Sequence, residues 1–97
     1  MTGTRSIELH FQEDFAGEPV EVRINSREAA AFTATTRYQI GLAHIEKLSI
    51  DANDKVTVLV GSQSLAVPLA ADVDTYVVRL TAGVLSIDPA KDPPTYV

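Results

Sequence analysis

Apolar and polar residues alternate with a period of two along most of this chain. In "KVTVLVGSQSLAVPL", Val56, Val58 and Val60 share one side, and Val67 and Leu69 continue the same spacing beyond a Gly-Ser turn. A period of two marks strands with one buried face. Residues paired across a hairpin point to the same face, so a turn at Gly61–Ser64 that sets Val60 opposite Leu65 keeps apolar opposite apolar. "YVVRLTAGVLSI" follows the same logic: with Ala82-Gly83 at the tip, Leu80 opposes Leu85 and Val78 opposes Ile87. "SIDANDKVTV" reads as a third hairpin, in which Asp51 faces Lys55, Ile50 faces Val56 and Leu48 faces Val58.

Upstream, "SIELHF" puts Ile7, Leu9 and Phe11 inward and Glu8 and His10 outward, into solvent. "PVEVRINSREAAAFTA" puts Val20, Val22 and Ile24 on one face. Alanine favours helices, but the stretch around Ala29–Ala31 is short and runs into Thr33, Thr35 and Thr36, so it reads as a returning strand. An even turn around Ser26-Arg27 sets Ile24 opposite Ala29, which leaves Phe32 pointing outward. A one-residue bulge would turn Phe32 inward instead. "VEVRINSREAAA" and "VTVLVGSQSLAV" share residue types at an offset of 36 positions (Val20 to Val56). Nothing else in the chain repeats, so two hairpins solving one geometric problem is the simpler reading than duplication.

The alternation fails in "TTRYQIGLAHIE", residues 35–46. This segment reads as a crossover between two sheets, bent at Gly41, with Ile40, Leu42 and Ile45 plugging the end of the core. The expected architecture is an all-β, antiparallel two-sheet β-sandwich of about seven to nine strands built from hairpins, with a small closed barrel as the alternative. Residues 1–97 form one domain, and 89–97, "PAKDPPTYV", form a Pro-rich extended tail. Pro93-Pro94-Thr95-Tyr96 fits the PPxY pattern read by WW domains, and the last three residues fit a PDZ-type C-terminal peptide; a tail docked along a sheet is the plainer expectation.

Composition narrows function mainly by exclusion. The net charge is −5, from 13 acidic and 8 basic residues with no basic run, so a nucleic-acid surface is not expected. There is no Cys, hence no disulfide framework and no thiolate metal site, which fits the cytoplasm. No apolar run approaches membrane-helix length, and the N-terminus does not read as a signal peptide. His10 and His44 are the two histidines; they stand far apart with no HxH or HxxxH, and no metal or other cofactor is expected. Ser62 and Ser64 lie in a turn without the GxSxG elbow. Asp51, Asn53, Asp54, Asp72, Asp74 and Asp88 gather at connections, where Asp and Asn favour turns; "DANDK" does not match a calcium loop. The chain has no Trp, so an aromatic platform for sugars is poorly supplied.

The expected function is a non-catalytic interaction or assembly domain that binds a protein partner or, as a homo-oligomer, copies of itself. Contact would run through strand edges or an apolar sheet face. Its motive is the set of apolar residues on the second faces of strands, with Phe32, Leu59 and Val77 as the interaction surface. One alternative is a small-molecule or carbohydrate-binding module whose pocket wall is Arg37, Tyr38 and His44. The other is an enzyme, which would need His44 beside a carboxylate and a cleft.

Overall fold

The structure, a computed structural model, describes residues 4–12, 15–35, 42–51, 53–70 and 72–90. These residues form a β-sandwich of eight strands: β1 (Thr4–Phe11), β2 (Ala16–Ile24), β3 (Arg27–Thr35), β4 (His44–Asp51), β5 (Val56–Val60), β6 (Gln63–Ala66), β7 (Thr75–Thr81) and β8 (Val84–Pro89). One sheet has the order β4-β1-β7-β8 and the other β3-β2-β5-β6. They stay open at their sides and do not close into a barrel. All neighbouring pairs are antiparallel except β1 and β7, which run parallel. That parallel pair departs from the all-antiparallel expectation. It joins strands 67 residues apart (His10 to Val77), too far for local alternation to specify.

Three hairpins form: β2–β3, β5–β6 and β7–β8. The last has the expected register, Leu80 opposite Leu85 and Val78 opposite Ile87. Its central residues Ala82 and Gly83 both take positive φ, 51° and 79°, as a twist-matched two-residue loop demands. The β5–β6 turn is tighter than expected: Val60 opposes Gln63 and Val58 opposes Leu65 across Gly61-Ser62. Gly61 supplies φ 58° at its first central position. Leu65 keeps its face, because the register moved by two.

The β2–β3 turn is likewise two residues, Asn25-Ser26, with Ile24 opposite Arg27. A register shift between Val22 and Arg23 then sets Val22 opposite Ala30 and Val20 opposite Phe32. The bulge therefore turns Phe32 inward, not outward, where its ring meets Phe11 edge-on at 5.1 Å and 80°. An edge-to-face pair adds about 0.5–1.5 kcal/mol beyond area burial, which favours this register over one that exposes the ring.

The β4–β5 hairpin does not form. β4 pairs with β1, Ile7 opposite Leu48, and β5 pairs with β2, Val22 opposite Val58. Asp51 thus ends β4 and Lys55 belongs to the connection from it to the other sheet. Asn25 and Asp54 clasp it. Asn25 Nδ2 donates to Asp54 Oδ1 at 3.0 Å, the Asp51 amide donates to Asp54 Oδ2 at 2.8 Å, and the Lys55 amide donates to Asn25 Oδ1 at 3.1 Å. Segment 35–46 joins β3 in one sheet to β4 in the other, as the broken alternation implied. Ile40 lies outside the described residues, Leu42 is half-buried, and Ile45 faces outward at the exposed margin rather than plugging the core. Of the C-terminal tail, β8 takes in Pro89, and 91–97 lie outside the described residues.

The core lies between the sheets. Ile7, Leu9, Phe11, Tyr76 and Val78 enter it from one side and Val20, Val22, Val56, Val58 and Val60 from the other, with Phe15 and Val73 from connections. Tyr76 is fully buried, and its hydroxyl accepts from the Ala70 amide and donates to the Val73 carbonyl, both at 2.9 Å. This ties Ala70 and Val73, in the connection between sheets, to β7.

Two outcomes follow. Tyr76→Phe leaves the Ala70 amide without that acceptor and should cost about 1–3 kcal/mol in urea unfolding with an unchanged m value. The Asp51 amide and Asn25 hold the Asp54 carboxyl below its ordinary 3.8. A group lowered in the folded state stabilises it above the unfolded pKa and loses that contribution as pH falls through the folded value. Asp54→Asn should therefore be less stable near neutral pH, and it should lose less stability than the parent when acidified below about pH 4. Thermal melts across that range measure both.

Candidate functional site

His44 opens β4 directly opposite Phe11 on β1, so the two side chains share the inward face. Its Nε2 lies 2.9 Å from Glu46 Oε1, two residues along the same face. From the facing sheet, Phe32 stacks on the imidazole with ring centres 3.9 Å apart and planes 23° from parallel. Phe11 touches both rings, at 6.2 Å to His44 and 5.1 Å to Phe32, and meets Phe15 at 5.8 Å. A row of aromatic rings thus closes the side of the sandwich between β3 and β4. Arg37 and Tyr38, the other members of the expected pocket wall, lie outside the described residues.

The expected enzyme condition is half met: His44 does reach a carboxylate. A His–Glu pair can hold one tautomer and draw a proton from a hydroxyl. The imidazole, however, bonds no Ser or Thr among the described residues, and it lines neither of the two surface grooves below. Phe32 covers one face of it, so the ring packs between the two sheets.

His10 faces outward as the alternation requires, but it is buried rather than solvated, at 4% exposure. Ile45 on β4 and Val77 on β7 sit beside it in the same row, and Glu8 Oε1 holds its Nε2 at 2.8 Å. Val77 is also buried, on this outer face and opposite Asp88. Leu59 lies on the outer face of the other sheet, half-buried beside Glu21. Phe32, Leu59 and Val77 therefore stand on three different faces and do not converge.

Two grooves cross the outer faces. On the β4-β1-β7 side, Ser6, Glu8, Lys47, Ser49, Asp74 and Thr75 line a space of about 320 Å³. Sequence reasoning missed it, because it brings three strands together and only the i, i+2 spacing of Ser6, Glu8 and His10 was visible locally. It mixes hydroxyls with both signs of charge. On the β3-β2-β5 side, Pro19, Glu21, Ala31, Thr33, Leu59 and Gly61 line a shallower space of about 430 Å³. Its depth comes from what is missing: Ala31 and Gly61 have little or no side chain. The connection carboxylates stay apart, Asp54 with Asn25 and Asp74 beside Arg5 at 3.4 Å. Among the described residues, no group of three His, Asp or Glu is placed to hold a metal ion, and no helix is long and apolar enough to cross a membrane.

If the Phe32–His44 stack joins the sheets, a double-mutant cycle with Phe32→Ala and His44→Ala should return a coupling of about 0.5–1.5 kcal/mol in chemical unfolding. Purely independent losses would rule the contact out as a clasp.

Comparison of the chain with protein-family models, with curated proteins and with solved structures finds no match in any of the three.

Proposed function

We propose that this chain is a non-catalytic assembly domain whose partner is a second copy of itself, bound through the β3-β2-β5-β6 sheet. The observation that carries the reading is the chemistry of that sheet's outer surface. Pro19, Ala31, Thr33, Thr57, Leu59, Ser64 and Ala66 occupy it with small or apolar side chains; its charges are Glu21 and Arg23, which bond to each other, and Glu28 opposite Arg23. Such a surface gives up comparatively little hydration when covered, since its charges are few and gathered around Arg23. The opposite sheet presents Glu8, Lys47, Arg79 and Asp88 on its outer face, and covering them would cost more.

Reactive chemistry has weaker support. Each histidine sits against a neighbouring carboxylate on its own strand, and neither groove gathers a nucleophile, a base and oxyanion donors.

Static light scattering over a concentration series is the test. The expected result is a weight-average mass that rises from the monomer towards the dimer between about micromolar and millimolar protein, the range of a small interface. A constant monomer mass throughout would sink the proposal.

A further inference from the structure

Each sheet has two edges, and three of the four are guarded. β6 is four residues long, too short to template a partner. β8 is partly covered from the other sheet, at its turn end. In a two-residue hairpin the residues flanking the turn form a hydrogen-bonded pair, so Val84, Ser86 and Asp88 bond β7 while Leu85, Ile87 and Pro89 turn their backbone groups outward. Gln63 meets the turn end of this edge: its Oε1 accepts from the Leu85 amide at 3.0 Å, and its Nε2 donates to the Gly83 carbonyl. Pro89 has no amide to offer. β4 carries Glu46, Lys47 and Asp51, and antiparallel self-pairing centred on Glu46 or Lys47 sets like charges opposite each other.

β3 has no such guard beyond its bulge. Residues 29–35, "AAAFTAT", contain no charge, no Pro and no Gly, the composition that adds strands most readily. The same alternation rule fixes which groups are free. Ile24–Arg27 closes the turn, so the even residues of β2 bond β3; the odd ones bond β5, as the Asn25 amide on the Lys55 carbonyl at 2.7 Å continues. Val20 pairs with Phe32, which turns the backbone groups of Ala31, Thr33 and Thr35 away from β2. Among the described residues nothing bonds them.

We infer that the β3 edge is the assembly site, where β3 of a second copy adds antiparallel about Thr33 to give one continuous sheet across a two-fold axis. This rests on the self-association reading above but seats the second copy on the edge of that sheet, which extends its outer face rather than covering it. Thr33 meets Thr33 of the other copy, Ala31 meets Thr35, and Phe32 meets Ala34. Inward residues stay inward in this register and the Thr–Thr pair is favourable. Up to about six main-chain hydrogen bonds form. Arg27 and Glu28 lie beyond the bulge, outside the paired stretch.

Two variants test it in the full chain. Thr33→Pro removes an outward amide in each copy and spares the β2 ladder, a placement that edge strands tolerate. Thr33→Lys leaves the monomer's solvent-facing side free but brings two ammonium groups together at the axis. Each should weaken self-association by at least about 100-fold in light scattering, and the lysine variant should recover partly at high salt. Ser86→Lys on the β8 edge should change nothing. Amide exchange at Ala31, Thr33 and Thr35 should slow as the parent protein is concentrated. If Thr33→Pro does not fold, which a melt would reveal, the lysine variant decides. A parent that stays monomeric overturns the assembly reading and this edge with it. A dimer that survives both variants overturns the edge alone.

Discussion

Everything in this sandwich depends on β1 being paired on both sides while its inward face is sealed. Ile7, Leu9 and Phe11 are all fully buried, β4 bonds one flank and β7 the other. Burying side chains of this size contributes about 1.5–3 kcal/mol each, and the contribution exists only if the β3-β2-β5-β6 sheet covers them. Covering them demands the valines of β2 and β5, whose central pair Val22–Val58 is fully buried. Valine suits this layer because its branched side chain is stiff in a strand and loses little freedom on packing.

The two flanks of the sandwich are closed by different chemistry. Between β6 and β8 the closure is polar: one glutamine satisfies a donor and an acceptor that an open edge would leave exposed. Between β3 and β4 it is aromatic, Phe32 on His44, which holds the sheets together but satisfies no backbone group. This difference leaves the turn end of the β8 edge covered by a side chain, while among the described residues no side chain bonds the outward backbone groups of Ala31, Thr33 and Thr35.

Within the β3-β2-β5-β6 sheet, the 36-residue similarity acquires a geometry. The turns Asn25-Ser26 and Gly61-Ser62 fall at equivalent positions and take φ of 60° and 58° at their first residue. Val22 pairs with Val58, its own equivalent, so a local two-fold axis passes through that pair. The bulge that turns Phe32 inward breaks the symmetry on one side only. Two hairpins meeting the same constraint in the same sheet account for the resemblance.

Local alternation was enough to read the all-β class, the number of layers, the inward residues of β1, β2, β5, β7 and β8, and the β7–β8 register. Each of these follows from a period of two and from turn residues a few positions apart. The crossover at 35–46 was legible for the same reason, as the place where that period stops. What alternation could not decide was which strands meet. Leu48 and Val58 are both inward, so the imagined β4–β5 hairpin had a consistent pattern, yet the strands lie in opposite sheets. Pairing over long separations, such as β1 with β7, is selected by the energy of the whole core, which no local window contains. The site followed the same division. That His44 and Glu46 share a face was implicit in their spacing. That Phe32 would cover the imidazole, that His10 would be buried on an outer face, and that Ala31, Thr33 and Thr35 would present an unguarded edge required the bulge and the neighbouring strands. The sequence by itself determined which side of each strand is apolar; the tertiary structure decided what each side touches, because contact between distant strands depends on packing summed over the molecule.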